Sequence, residues 1–158
     1  VNNYVFFAQV PMPLGGEDMR ISTRGEYGLR AMLVLAERYR EGPCPLREIA
    51  EVEQISEQYL EQLFRDLRKY NLVLSFRGAK GGYVLARPPS EISVNQVLTA
   101  LEGPVAPMGC VAEGHRQEKC QHKGSCSTRV VWERLKDAIN AVLDDTTLAN
   151  LISNASEE

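Results

Sequence analysis

The chain has 158 residues, 44% hydrophobic and 25% charged, with a net charge of −3 and four cysteines. This is the composition of an ordinary globular protein with one sizeable core, and it excludes a collagenous chain, a disordered one and a uniformly basic nucleic-acid coat. No apolar run approaches the roughly 20 residues of a membrane span, so a cytoplasmic chain is expected, in which cysteines point to metal or redox chemistry rather than a disulfide framework.

Residues 1–18 contain Pro11, Pro13 and the Gly15-Gly16 pair, which break regular structure. The apolar patch at 4–8 lacks the preceding basic residues of a secretory signal. Helical periodicity begins only after Met19, so Met19 is expected to be the biological start and 1–18 a disordered or non-native leader. From there the charge is unevenly spread. Residues 19–88 carry twelve Lys and Arg against nine Asp and Glu, whereas 89–158 carry six against ten. Positive potential therefore sits on the first half.

A first helix is expected over 23–39, with Tyr27, Ala31, Val34, Leu35 and Tyr39 on one face. Gly42-Pro43-Cys44-Pro45 interrupts it, and a short second helix follows over 46–52. Ser56 can then cap a third helix, in which Leu60, Leu63, Phe64, Leu67 and Tyr70 make an apolar face. Its opposite face carries Gln58, Glu61, Gln62, Arg65, Arg68 and Lys69. Short helix, turn, polar-faced helix is the helix-turn-helix layout.

The period then changes to that of two short strands, 72–77 and 83–86, joined by a glycine-rich turn. From Leu67 to Ser90 there are five basic residues and no acidic one. A solvated amphipathic helix and hairpin would explain the apolar spacing but not the acid-free run. A polar helix beside a cationic hairpin suits DNA, with the helix in the major groove and the hairpin on the backbone or the adjacent minor groove.

Ser93 and Gln96 form a capping-box pattern opening a fourth helix. Residues 103–126 then show no periodicity, and a loop that long in a compact domain is functional or tied down. It holds Cys110, Cys120 and Cys126, with His115 and His122 among them. Three thiols on a loop suit zinc or an iron–sulfur cluster, although gaps of nine and five residues are not those of a zinc finger. A thiol oxidoreductase is disfavoured, because no C-x-x-C pair or βαβ context accompanies them. The strongest helical pattern follows at 129–144, with Val131, Trp132, Leu135, Ala138, Ile139 and Val142 as a near-heptad stripe suited to a core or a dimer seam. A further amphipathic piece covers 148–152.

Several of these segments resemble the Rrf2 family of bacterial winged-helix regulators, in particular its iron–sulfur branch. They are M-R-I-S-T-R-G-E-Y-G at 19–28, I-S-E-Q-Y-L-E-Q-L-F at 55–64, L-R-K at 67–69, R-G-A-K-G-G-Y at 77–83, and the cysteine loop followed by V-W-E-R-L. The resemblance implies a homodimeric repressor or activator of transcription on double-stranded DNA, with no enzymatic activity. It implies base reading by Gln58, Glu61, Gln62 and Arg77, and phosphate contacts from Thr23, Tyr59, Arg65 and Lys80. Ser56, Gly81 and Gly82 complete the DNA-binding set. Cys110, Cys120 and Cys126 would hold a two-iron, two-sulfide cluster, with zinc as the alternative metal.

The chain departs from the family pattern at two points. The first cysteine gap is nine residues rather than five, and Arg129 stands where some relatives place a histidine ligand. The fourth ligand is therefore expected from Glu26 of the partner chain, or from His122 or His115. A runner-up within the family is a cluster-free cysteine-metabolism repressor acting with a partner enzyme, whose style is shared by Glu102-Gly103-Pro104 and the segment L-D-D-T-T-L at 143–148.

The expected architecture is mainly α with a small β wing. A winged helix-turn-helix DNA-binding domain would span 19–90, a helix and cluster loop 91–128, a long dimerisation helix with its cap 129–152, and a tail 153–158.

Overall fold

A computed structural model of the chain describes residues 21–112 and 126–155. Three helices come first: α1 (Thr23–Glu37), α2 (Leu46–Glu53) and α3 (Glu57–Lys69). An antiparallel hairpin of β1 (Val73–Phe76) and β2 (Gly82–Leu85) follows, then α4 (Val94–Glu102), α5 (Arg129–Asp145) and α6 (Leu148–Ala155). Two 3-10 turns, Pro89–Glu91 and Gly109–Val111, flank α4. Mainly helical with a two-stranded wing is the expected class.

Local chemistry fixes the ends of these helices. The Ser56 hydroxyl accepts from the Tyr59 backbone N–H at 3.2 Å and opens α3. Both halves of the Ser93/Gln96 capping box form at α4. Asn71, at φ 54°, closes α3 in the left-handed conformation that asparagine tolerates, and the Leu72 N–H reaches back to the Leu67 carbonyl at 3.1 Å. Because α3 stops at Lys69, Tyr70 does not continue its apolar face. Its side chain is exposed, contrary to the spacing.

The core is built by α1, α2, α3, the wing and α4. Met32, Ile49, Leu60, Leu63, Phe64, Leu67, Val97 and Leu98 are all essentially inaccessible, joined by Leu148 from α6. The Phe64 ring packs on Tyr83 of β2 with centroids 4.7 Å apart, fixing the wing to α3.

The wing has a third backbone partner that sequence periodicity did not reveal. Cys44 and Tyr83 exchange hydrogen bonds of 2.9 and 2.8 Å, so the residue between two prolines forms an antiparallel bridge to β2. This close approach explains Gly82. A Cβ there would lie 2.3 Å from the Cys44 carbonyl oxygen, and its φ is +156°. Gly82→Ala should destabilise the fold by about 1–3 kcal/mol, read by urea unfolding, because the obstacle is backbone and cannot rotate away.

Helix α5 differs from the others in having no buried residue along 17 positions. Trp132, Lys136, Ile139 and Leu143 are half-buried, whereas Val131, Leu135, Ala138 and Val142 are exposed. The expected single stripe is thus two adjacent faces. The chain itself partly covers one, and the other is open with 4-3-4 spacing.

Candidate nucleic-acid interface and thiol sites

The polar face of α3 points to solvent: Gln58, Glu61, Gln62, Arg65, Arg68 and Lys69 are all exposed. That follows from the helical period, since Leu60, Leu63, Phe64 and Leu67 take the opposite side into the core. Tyr59 lies between the two faces, half-buried, with its ring edge-on to Tyr27 of α1 at 6.3 Å. Thr23 is exposed at the start of α1.

Between α3 and the wing runs a groove of about 440 Å³. Arg65 and Arg68 line it from the helix, Arg77, Gly81 and Gly82 from the hairpin, and Glu57 and Glu61 supply carboxylates. Sequence reasoning left Arg68 out of the site, yet its Nη1 donates to Ser75 Oγ at 3.2 Å and ties α3 to β1. Its place in the acid-free run was the available signal. At the tip of the wing, Arg77 and Lys80 are exposed, and the Gly81 N–H donates to the Gly78 carbonyl at 2.9 Å. The Lys69 ammonium, donating to Asp66 at 2.7 Å, holds that carboxyl below its usual range, with help from Arg24 and Arg65. The result is a cationic surface with a hydrogen-bonding helix at its centre.

Cysteine environments fall into two kinds. Cys44 is buried, and burial pushes its thiol up despite the Arg38 guanidinium 3.3 Å away. Cys126 is half-exposed just before α5. The Thr128 hydroxyl, 3.2 Å from its sulfur, lowers the thiol, and the backbone N–H groups of Thr128 and Arg129 lower it further. Cys110 is free and half-exposed on the 3-10 turn Gly109–Val111, which packs against α5. Two free thiols thus flank the segment 113–125 and are associated with the same helix.

Cys120, His115 and His122 lie outside the described residues. Among the described residues no three His, Cys, Asp or Glu side chains converge on a metal position. Glu26 is exposed on the first turn of α1, and Arg129 donates to Glu133 at 2.7 Å. Cys110 and Cys126 are free, half-exposed soft thiols, the donor type that an iron–sulfur or zinc centre takes.

A polar helix set by a helix-turn-helix support beside a basic wing defines a DNA-binding transcription regulator. Residues 21–154 match the Rrf2 family, described as iron-dependent transcriptional regulators, and the chain belongs to that family. It is 44% identical over 140 residues to the HTH-type transcriptional regulator CymR of Bacillus subtilis, covering 89% of this chain and 94% of the relative. It is 43% identical over 136 residues to the HTH-type transcriptional regulator IscR of Serratia proteamaculans, covering 86% and 80%. Among solved structures, the CymR global cysteine regulator of B. subtilis superposes with a TM-score of 0.70, at 44% identity over 85% of this chain and 97% of that one. T. potens IscR gives 0.71 at 43% identity, over 87% and 89%. The relatives are regulators rather than enzymes. Among the described residues no helix is long and apolar enough to cross a membrane.

Proposed function

We propose that the chain is a homodimeric cytoplasmic regulator in which α3 and the wing read an operator, and an iron–sulfur centre on Cys110, Cys120 and Cys126 controls that binding. Residues 19–90 would form the reading domain, 91–128 the sensing segment and 129–152 the dimer contact. The observation carrying the metal assignment is the pair of free, half-exposed thiols, Cys110 and Cys126, flanking 113–125. The family's description as iron-dependent supports it. Cys110, Cys120 and Cys126 would hold such a centre, which would supply a crosslink sensitive to redox state and to iron supply. Glu26 of a partner chain, His115 or His122 would complete the ligand set.

On the DNA side, Gln58, Glu61 and Gln62 are the exposed hydrogen-bonding groups suited to base edges. Thr23, Tyr59, Arg65 and Lys80 suit phosphates, which fix register without specifying sequence, and Ser56, Gly81 and Gly82 complete the DNA-facing set. Arg77 at the wing suits a guanine edge. Arg77→Ala should lower operator affinity by about 1–3 kcal/mol and relax preference at one position, read by anisotropy titration against single-base operator variants.

A second reading is supported by the comparison with CymR, whose identity of 44% is no lower than the 43% for IscR. In that reading the chain is a cluster-free regulator of cysteine metabolism acting with a partner enzyme, or the loop is stapled by zinc. The separating experiment is anaerobic purification with absorption spectroscopy and counts of iron, sulfide and zinc per chain. Visible charge-transfer bands with iron and sulfide support the proposal. Stoichiometric zinc, or a metal-free colourless protein, overturns it.

A further inference from the structure

Arg24 lies in the first turn of α1, and its guanidinium faces two other elements at once. Its Nε donates to the Leu101 carbonyl at 2.8 Å, in the last turn of α4. Its Nη2 is paired with Asp66 Oδ2, in the last turn of α3. Both side chains of that pair are less than a third exposed, at 29% and 26%, so the contact is partly shielded from water.

One residue past Leu101, the Glu102 carboxylate accepts from the Ser22 N–H at 3.1 Å and the Ser22 hydroxyl at 2.6 Å. Ser22 is the N-cap of α1. Two glycines bring the helices close enough for this. A Cβ at Gly25 would stand 2.2 Å from Glu102 Oε1, and one at Gly28 would stand 2.1 Å from Leu101 Cδ1. From Gly103 the chain leaves α4 toward Cys110. The foot of the cysteine-bearing segment and the polar helix are therefore joined through one side chain.

We propose that Arg24 is a positioning residue, a strut that sets α3 against the end of α4 and passes displacement at the foot of the cysteine segment to the DNA-reading surface. The inference rests on α3 being the helix that meets DNA. Two electrostatic alternatives make different predictions. If Arg24 merely touched phosphate, its loss would remove one counterion-releasing contact. If Asp66 acted only through its charge, neutralising it would strengthen binding to a polyanion.

The test uses the full chain and a duplex recovered by the unmodified protein from a random-sequence library, titrated between 50 and 200 mM salt, a range over which phosphate contacts register. Arg24→Gln and Asp66→Asn should each weaken binding about fivefold or more. The double variant should be no weaker than the weaker single one, and the salt slope should stay that of the unmodified chain. Glu102→Gln should weaken binding about twofold or more in the unmodified background and not at all beside Arg24→Gln. Tighter binding by Asp66→Asn, a slope reduced by about 0.9 in Arg24→Gln, or additive losses would overturn the strut. Gln62→Ala separates the two levels. If it weakens binding while Arg24→Gln and Asp66→Asn do not, the strut alone fails; if none of them matters, α3 is not the reader.

Discussion

Replacing Val131 and Val142 together by aspartate should give a monomer that has lost operator affinity by about a hundredfold or more. These two residues are 56% and 65% exposed, on a 17-residue helix with no buried position. With Leu135 and Ala138 between them they repeat at intervals of four, three and four, the seam of a two-stranded coiled coil. The neighbouring face, Trp132, Ile139 and Leu143, is already partly covered by the chain itself. On the proposed dimeric reading a second copy packs on this open apolar seam, and a twofold dimer would present two copies of α3 about 34 Å apart, one turn of DNA. Two carboxylates in the seam would oppose two more across the twofold axis. Sedimentation and anisotropy check the result together. A dimer that persists with full affinity would place the contact elsewhere.

The second large effect concerns the joint between α3 and the wing. Phe64→Ala should cost about 3–5 kcal/mol in urea unfolding, because the ring is fully buried and the surrounding helices cannot collapse onto the space it leaves. Domains of this size are stable by only about 5–15 kcal/mol, so the loss takes a large share. Phe64→Leu, nearer in volume, should cost less than about 1.5 kcal/mol. The ring also holds Tyr83 of β2, so the alanine variant should bind DNA more weakly even where it remains folded. A cost below about 1 kcal/mol would mean that the core is less tightly fitted than the contacts indicate.

Features set by neighbours in sequence were legible from the residues alone. The Ser56 cap, the Ser93/Gln96 capping box and the apolar face of α3 depend on groups within a turn or two. The exposed polar face follows from that same period. Features set by distant partners were not legible. Nothing around Cys44 announces that its backbone pairs with Tyr83, and Gln54, unlike Asn71, gives little warning that it takes a left-handed φ of 54° at the end of α2. The periodicity of α5 could not say which of its two apolar faces the chain itself covers, because a stripe on a helical wheel carries no information about neighbours. Arg68 reads as surface charge until Ser75 stands beside it, and nothing local to Arg24 announces Leu101 and Asp66 as its partners. In the cysteine segment, the spacing gave three candidate ligands, whereas the lowered thiol of Cys126 needed the Thr128 hydroxyl in place.

The most direct measurement of the central claim compares operator occupancy by the unmodified chain, purified without oxygen, with that of a Cys110→Ser/Cys120→Ser/Cys126→Ser chain shown by circular dichroism and sedimentation to be equally folded and dimeric. The account predicts iron and sulfide in the first, neither in the second, and a difference in affinity of about fivefold or more at one or more operators. Equal occupancy at every operator tested would contradict it, since DNA reading would then proceed without reference to the three thiols.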